Sequence, residues 1–364
     1  MKRAIIVNPR AGKKELSTIG DNECFGFCEL LKQCGIEPKY LKPAKVDNDM
    51  TITVDDFNTL NDFDYVFVYN FNPNFFGGAE DKFLMNCYKL LSKCTKPIYY
   101  LLVDMGIFFK QLGEKIMERD WESVKDCTYN DLVVGDIHYI SQGYNINLID
   151  KLKANKGVVS TKTSYFPLQF CALLNEGRVQ PFGEYNMDRE YDLYYGGSYR
   201  SGKRHEQFKE YLFNRDIKTG FFGTISLKDF KGDHGDIIPD FNGKVKQEAI
   251  VSENKKGLAT IILNETNYNN NVVTLRVFES LLADMVTFID EKFDSNRLIF
   301  SNDEVLHSFN YVSNGEELEQ KIKALKEDEN FLADIIRRQR NEFNRWFDVE
   351  QLKSMLLSIL DEVE

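Results

Sequence analysis

Short hydrophobic segments typical of buried β-strands alternate with amphipathic helical segments along nearly the whole chain. The first strand and helix are predicted at 4–7 and 25–34, and Gly35 follows at the position where helices commonly end in a left-handed cap. Further strands are predicted at 65–69, 97–103 and 136–140. Strands that alternate with helices form parallel sheets with crossover connections, so the pattern predicts an α/β protein.

A linker is predicted at 175–186, where Gly177, Pro181 and Gly183 interrupt every periodic segment. A second series of strands follows the linker, at 191–195, 219–222, 258–263 and 285–290. Two such series predict two doubly wound, Rossmann-like domains that face each other across a cleft.

We therefore divide the chain into a first domain at 1–180, a second domain at 187–340 and a C-terminal helix at 341–364. The last segment carries apolar residues at helical spacing from Leu352 to Leu360. An apolar helix face needs a partner, and we expect this helix to pack back on the first domain.

The 364 residues include 46 Lys and Arg against 57 Asp and Glu, which gives a formal net charge of −11. This excess of acid argues against a protein that binds nucleic acid over its whole surface, but it leaves room for a local basic cleft. The longest apolar runs, such as Ile98 to Val103, are far shorter than the ~20 residues of a membrane-spanning helix, so we expect no membrane partner. Seven cysteines without a C-x-x-C pair are typical of reduced thiols in the cytoplasm.

The segment Tyr194 to Arg204 reads YYGGSYRSGKR and connects a predicted strand to a predicted helix. The backbone N–H groups of such a loop and the dipole of the following helix favour a bound anion. Two or three cationic side chains of the segment would complete such a site. We therefore predict a phosphate or diphosphate site; the alternative is an ordinary glycine turn whose arginines lie in solvent.

The same loop also resembles a nucleotide-binding P-loop. Residues 197–203 match the first seven positions of that motif, but the eighth position, where a Ser or Thr binds Mg²⁺, is Arg204. This difference counts against a P-loop-like ATPase or kinase, which stays as an alternative.

Arg276 and Glu279 form a second candidate group, because residues three apart share one face of a helix. The guanidinium would contact phosphate oxygens, and the carboxylate would accept hydrogen bonds from ribose hydroxyls. Together with the glycine-rich loop, this pair predicts a nucleoside diphosphate site. The alternative is an ion pair on the helix surface.

Two features of the first domain could act on a second substrate. Asp104 follows an apolar strand at the sheet edge where α/β sites lie, so it is a candidate general base or a simple loop cap. The aromatic rings of the segment Asn74 to Gly78 would stack on a base or insert into a duplex, unless they form a hydrophobic plug under the loop.

Taken together, these segments resemble the T4-type bacteriophage DNA β-glucosyltransferase family, which moves glucose from UDP-glucose onto 5-hydroxymethylcytosine in duplex DNA. The resemblance extends from residue 1 to about residue 295. It rests on NFFGG (74–78), IYYLLVD (98–104), ISQGYN (140–145), YFP (165–167), YGGSYRSGKR (195–204), FFG (221–223), NYNNN (267–271), TLRVFE (274–279) and IDEKFD (289–294). It implies a B-type glycosyltransferase fold with a C-terminal helix that crosses back to the first domain.

The resemblance also implies a role for each matching residue. Asp104 matches the catalytic base, and Glu23 matches a carboxylate near the donor sugar. The groups that hold the UDP phosphates correspond to Ser198, Arg200, Arg204 and Arg276. Glu279 matches the ribose contact, and the remaining lining of the nucleotide site corresponds to Gly197, Gly223, Val245 and Tyr268. Asn74 and Phe75 lie in the loop that opens the duplex at the target base.

The function implied is an inverting transfer from a UDP-sugar donor to double-stranded DNA. Mg²⁺ or Mn²⁺ is a candidate divalent ion, but we assign no metal ligands. Met105 and Gly106 follow the base where the family has a cationic residue, so the transferred sugar is glucose or a pentose such as arabinose. We expect a monomer in the cytoplasm of an infected bacterial host. A catalytically silent DNA-binding homologue stays as a further alternative.

Overall fold

The computed structural model describes residues 1–8, 19–43, 49–69, 82–91, 93–102, 137–141, 163–175, 179, 181–199, 202–225, 235–263, 273–295 and 297–361. The chain forms two compact units, each built on one parallel sheet. The first unit comprises Met1–Arg178 and Val349–Glu364, and the second comprises Val179–Asp348. No helix within the described ranges combines the length and apolar character that a membrane span requires.

The described strands of the first unit are β1 (Arg3–Val7), β2 (Glu37–Leu41), β3 (Thr51–Ile52), β4 (Tyr65–Tyr69), β5 (Ile98–Leu102), β6 (Ile137–Ser141) and β7 (Thr163–Tyr165). They pair in the order β3-β2-β1-β4-β5-β6-β7, and each pairing is parallel. The order reverses between β1 and β4, which is the arrangement of a Rossmann-like sheet. β4 is buried along its whole length, as a central parallel strand should be.

The described helices of the first unit are α1 (Ile19–Gln33), α2 (Lys82–Leu91), α3 (Leu168–Leu174) and α10 (Val349–Asp361). The end of α1 is a Schellman motif, in which Gly35 has φ +76° and the Ile36 N–H donates to the Leu31 carbonyl. The predicted left-handed cap is thus confirmed. Gly26 lets α1 approach α3 closely, because a Cβ atom there would lie 1.5 Å from the Cys171 carbonyl oxygen.

The C-terminal helix α10 belongs to the first unit, although it follows the second unit in the sequence. It contacts α1, and its buried residues include Leu352, Leu356 and Leu360. The preceding helix runs to Trp346 and belongs to the second unit, so the return to the first unit begins at Val349 instead of residue 341.

The described strands of the second unit are β8 (Tyr191–Gly196), β9 (Thr219–Phe222), β10 (Asp240–Phe241), β11 (Gly257–Ile262), β12 (Val286–Asp290) and β13 (Tyr311–Val312). They pair in parallel in the order β10-β9-β8-β11-β12-β13. The helices are α4 (Lys203–Tyr211), α5 (Ile250–Asn254), α6 (Leu275–Leu282), α7 (Glu304–Phe309), α8 (Gly315–Glu327) and α9 (Glu329–Trp346). The order reverses between β8 and β11, and this crevice is where Rossmann-like sheets bind ligands.

The predicted fold class of two parallel-sheet α/β domains is confirmed. The predicted strands at 65–69 and 219–222 match β4 and β9 to the residue. The strand β2 was missed, because Pro38 within it argues against a strand that has neighbours on both sides. β3 pairs with Tyr40 and Leu41 of β2. Pro38 lies outside this paired stretch, so it needs no N–H on the side of β2 that faces β3.

Candidate functional site

Glycine loops meet at the carboxyl ends of β8, β9 and β10. The Gly197 N–H donates to the Phe222 carbonyl at 2.9 Å, and the Gly223 N–H donates to the Gly243 carbonyl at 2.8 Å. Gly223 has φ +138°, and a Cβ atom on it would lie 1.8 Å from the Gly197 carbonyl oxygen. Only glycine at 223 allows the backbones of these two loops to touch.

Gly197 is in contact with two polar side chains as well as with the next loop. A Cβ atom at this position would lie 2.8 Å from the Tyr195 hydroxyl oxygen and 2.9 Å from Nη1 of Arg276. The absence of a side chain at Gly197 therefore leaves room for the Arg276 guanidinium and the Tyr195 hydroxyl beside the loop.

Arg204 and Arg276 converge on one acceptor, the hydroxyl of Tyr195. Nη1 of Arg204 donates to it at 3.1 Å, and Nη1 of Arg276 donates to it at 2.8 Å. The two nitrogens thus lie within about 6 Å of each other, where two positive charges repel by about 3 kcal/mol at an effective dielectric constant of about 20. An anion with two or more negative charges would relieve this repulsion, and a diphosphate is such an anion.

The topology explains why these arginines meet. β8 and β11 are neighbours at the point where the strand order reverses, and each is followed in the chain by a helix, α4 or α6. Arg204 is the second residue of α4, and Arg276 is the second residue of α6. Two helix N-termini, each with its partial positive charge, therefore carry an arginine to the same crevice.

Ser198 lies between the glycine loop and the start of α4. It is half-buried and precedes Tyr199, whose N–H donates to the Thr224 carbonyl and extends the parallel pairing beyond β8. Gly202, with φ +76°, turns the chain into α4. Ser198 therefore occupies the segment between the glycine loop and the helix N-terminus, as the sequence predicted.

Glu279 and Val245 are the other two predicted nucleotide-site residues that the structure describes. Glu279 lies three residues after Arg276 on α6 and is buried, so it does not lie on the solvent-exposed surface of the helix. Val245 is half-buried and packs against an aromatic cluster that includes Tyr194 and Phe222. Tyr194 and Phe222 lie on β8 and β9, the strands that the two glycine loops follow.

In the first unit, Glu23 is buried on α1 and accepts a short hydrogen bond from the Tyr69 hydroxyl at the carboxyl end of β4. α1 follows β1 in the chain, and β1 and β4 flank the strand-order reversal of this sheet. Glu23 is therefore held at the crevice of the first sheet, where α/β proteins place ligand contacts.

A buried charged cluster beside Glu23 was missed by the sequence analysis. Lys42 and Asp21 have no exposed surface, and Nζ of Lys42 lies 3.2 Å from Oδ1 of Asp21. The Tyr40 hydroxyl donates to the same carboxylate at 2.5 Å and accepts from the Asn8 amide at 3.0 Å. Burial of Tyr40 and the neighbouring carboxylate raise the pKa of its hydroxyl, which keeps it a hydrogen-bond donor. No sequence signal marks such a pair, because Lys and Asp are ordinarily exposed.

Five of the predicted site residues lie outside the described residues: Asn74, Phe75, Asp104, Arg200 and Tyr268. The structure brings together Gly197, Gly223, Arg204 and Arg276 in the second unit. Ser198 follows Gly197 in the chain, and Glu279 lies three residues after Arg276 on α6.

Three C-terminal arginines that could have lined a basic cleft are engaged in ion pairs within the second unit. Arg337 and Arg338 both bind Asp334, and Arg340 binds Asp284. Their charges are neutralised locally, so they contribute little to a positive surface. In the part of the chain that the structure describes, no group of three His, Cys, Asp or Glu side chains is arranged to hold a metal ion.

Comparison with known proteins gives matches along most of the chain. The family model described as Bacteriophage T4 beta-glucosyltransferase matches residues 2–171, and a model described as Glycosyl transferase-like matches residues 209–352. The DNA beta-glucosyltransferase of Enterobacteria phage T4 is 31% identical over 285 residues, which cover 77% of this chain and 76% of that protein.

Solved structures of the T4 phage enzyme are similar over the full length of the chain. The complex with its UDP-glucose substrate has a TM-score of 0.76 at 26% identity, and the complex with UDP and Mn²⁺ has a TM-score of 0.75 at 27% identity. Each match covers 99% of this chain and 100% of the solved chain.

Proposed function

Because the chain belongs to the bacteriophage T4 β-glucosyltransferase family, we propose that it is a glycosyltransferase that moves a sugar from a UDP-sugar donor onto DNA. The donor is UDP-glucose or a UDP-pentose such as UDP-arabinose. The acceptor is the hydroxymethyl group of 5-hydroxymethylcytosine in double-stranded DNA. The enzyme acts as a monomer in the cytoplasm of the infected bacterial host.

The observation that carries this proposal is the convergence of Arg204 and Arg276 on Tyr195 beside the glycine loops. This cluster supports a diphosphate ligand, because it combines two cations with two helix N-termini. The Glu279 carboxylate accepts hydrogen bonds from the ribose hydroxyls. The rest of the donor site comprises Gly197, Ser198, Arg200, Gly223, Val245 and Tyr268.

The chemistry is a single displacement at the anomeric carbon. A primary alcohol is a poor nucleophile until a carboxylate takes its proton, and Asp104 is the proposed general base. The bond between sugar and UDP breaks as the alcohol oxygen attacks, and the negative charge that develops on UDP is stabilised by the arginines and helix N-termini. One carboxylate suffices for this reaction, which inverts the anomeric configuration. Glu23 contacts the donor sugar.

The target nucleobase must leave the duplex before its hydroxymethyl group can reach Asp104, the proposed general base. Asn74 and Phe75 are the proposed groups that contact the DNA at this step, because an aromatic ring can replace the extruded base in the stack. Cationic side chains that bind DNA phosphates displace the counterions of the DNA. We therefore expect DNA binding to weaken steeply as the salt concentration rises.

A divalent ion, Mg²⁺ or Mn²⁺, is a further candidate component of the donor site, because the solved complex of the T4 phage enzyme with UDP contains Mn²⁺. Within the described ranges the chain offers no set of three carboxylate, imidazole or thiolate ligands. We therefore assign no step of the transfer to a metal. The arginines and helix N-termini carry the diphosphate charge in this proposal.

The two alternatives are weaker. A P-loop ATPase needs a Ser or Thr where this chain has Arg204, and that side chain is buried and donates to Tyr195 instead. A catalytically silent DNA-binding protein would have no use for two arginines that converge on Tyr195 or for the touching glycine loops.

The proposal is tested by mass analysis of hydroxymethylated duplex DNA after incubation with UDP-glucose and, separately, with UDP-arabinose. We expect the cytosine nucleoside to gain one hexose or one pentose, according to which donor is used by the enzyme. Unmodified duplex DNA is the control and should gain neither. Duplex binding without sugar incorporation from either donor would favour the silent homologue, and ATP hydrolysis without a response to UDP-sugars would favour the ATPase.

A further inference from the structure

The hydroxyl of Tyr195 occupies the centre of the arginine cluster, yet no role follows for it from the sequence motif. We infer that Tyr195 is a positioning residue, which holds the guanidinium groups of Arg204 and Arg276 in the orientation that binds the diphosphate of the donor. This inference rests on the proposed function, because it takes the diphosphate of a UDP-sugar as the ligand.

The hydrogen-bonding capacity of a tyrosine fits this role. A phenolic oxygen has two acceptor lone pairs, and the two arginines donate to it from two different helices, α4 and α6. The hydroxyl thus joins two helices whose arginines, Arg204 and Arg276, are 72 residues apart in the sequence. A neutral acceptor shared by two cations also offsets part of their mutual repulsion.

The ring of Tyr195 is fixed independently of the arginines. Its side chain is 1% exposed, and its ring packs edge-on against Phe208 with 5.2 Å between the ring centroids. The guanidinium carbon of Arg276 lies 5.7 Å from the centroid of the Tyr195 ring, which adds a cation–π contact to the hydrogen bond. A rigid, buried ring of this kind can hold flexible arginine side chains in place before the ligand arrives.

Removal of the hydroxyl should therefore change phosphate recognition and leave the packing of the strand intact. Phenylalanine keeps the contact with Phe208, but it gives neither arginine an acceptor. Each guanidinium then loses a hydrogen bond, and the two like charges are free to separate. We expect the loss to fall on ligands that carry the diphosphate and not on the nucleoside.

The test compares Tyr195→Phe with the wild-type protein for binding of UDP and of uridine by calorimetry. We expect UDP to bind about 10- to 100-fold more weakly to the variant, because hydrogen bonds to charged groups are at stake. Uridine affinity should stay unchanged, and the KM for UDP-glucose should rise in parallel with the loss of UDP affinity. Thermal unfolding of both proteins is measured alongside.

The matched control is Tyr194→Phe, one residue earlier in the same strand. Tyr194 is also buried, but its hydroxyl donates to Glu253 at 2.6 Å and does not contact the arginines. The ratio of UDP affinity to uridine affinity should stay at the wild-type value in this variant. A second variant pair, Arg276→Gln with and without Tyr195→Phe, should show a smaller effect of the tyrosine change than the wild-type background does, because one of the two arginine partners of Tyr195 is already absent.

Two results would overturn the inference: UDP affinity that is unchanged in Tyr195→Phe, or UDP and uridine affinities that fall by the same factor. A full additional loss in the Arg276→Gln background would overturn it as well. Failure of the proposed function is a separate result, since the wild-type protein would then bind neither UDP nor UDP-glucose.

Discussion

Gly223 lies so close to Gly197 that a Cβ atom on Gly223 would stand 1.8 Å from the Gly197 carbonyl oxygen. These two glycines directly follow neighbouring strands, β8 and β9, and their loops flank the arginine cluster. The contact fixes the position of the Gly197 backbone, which lies beside Arg276. The shape of the proposed anion site therefore depends on the absence of a side chain at Gly223.

Gly223→Ala should push the two loops apart and weaken UDP binding by about tenfold or more, since both the backbone clash and the φ of +138° oppose a side chain. Calorimetric titration with UDP measures this loss. Gly235→Ala is the control, because Gly235 has φ +116° but nothing within 4 Å of the added Cβ atom. Equal UDP affinity in Gly223→Ala and wild type would contradict the prediction.

Asp104→Asn should slow sugar transfer without weakening UDP binding. The amide cannot take the proton of the acceptor alcohol, so we expect the transfer rate to fall about 10²- to 10⁴-fold. UDP affinity should stay unchanged, because the donor cluster lies in the second unit. Sugar incorporation into hydroxymethylated DNA and UDP titration measure the two effects. Asp62→Asn changes an exposed carboxylate of the first unit and should leave both values as they are. A normal transfer rate in Asp104→Asn would show that another group is the base.

The central strands and the glycine-rich loop could be predicted from the sequence because their signals are local. Apolar runs of strand length are bounded by turn residues, and the YGGS segment follows such a run directly. The meeting of Arg204 with Arg276 follows from the strand order, which a resemblance to a known family can supply but which hydrophobic periodicity alone cannot.

Other features could not be predicted, because their cause is tertiary. Tyr195 lies in a buried strand, where an aromatic residue is most simply a core residue, and only the coordinates show two arginines on its hydroxyl. Arg338 and Arg340 look like free basic residues in the sequence, but the fold brings Asp303 and Asp284 to them. The sign of a local surface charge therefore depends on contacts between elements far apart in the chain.

Lys42→Met should destabilise the first unit by about 3 to 5 kcal/mol, because it leaves the buried Asp21 carboxylate without its cation. Lys39→Met is the matched control: it lies three residues earlier, its side chain is 25% exposed, and its ion pair with Glu37 is on the surface. The control should change stability by less than about 1 kcal/mol. Urea denaturation measures both. Adding Asp21→Asn to Lys42→Met should restore much of the loss, and no restoration would show that the pair is not the cause.

Asp303 should make the stability of the second unit depend on pH. Its burial opposes the charged form, but hydrogen bonds from the Leu306 amide and from Arg338 outweigh burial and hold the pKa of Asp303 below its ordinary value. A carboxylate with a depressed folded-state pKa stabilises the fold above the unfolded-state value of about 4, and this contribution is lost as the pH falls through the folded-state pKa.

Asp303→Asn keeps a side-chain oxygen for the N-terminal cap of α7 but removes the charge. We therefore expect the variant to be less stable than wild type by about 1 kcal/mol at pH 7, with a difference that shrinks below about pH 4 and disappears only below the depressed folded-state pKa of Asp303. Chemical denaturation at a series of pH values between these limits measures the difference. A difference that stays constant over the whole range would mean that the charge of Asp303 does not stabilise the folded state.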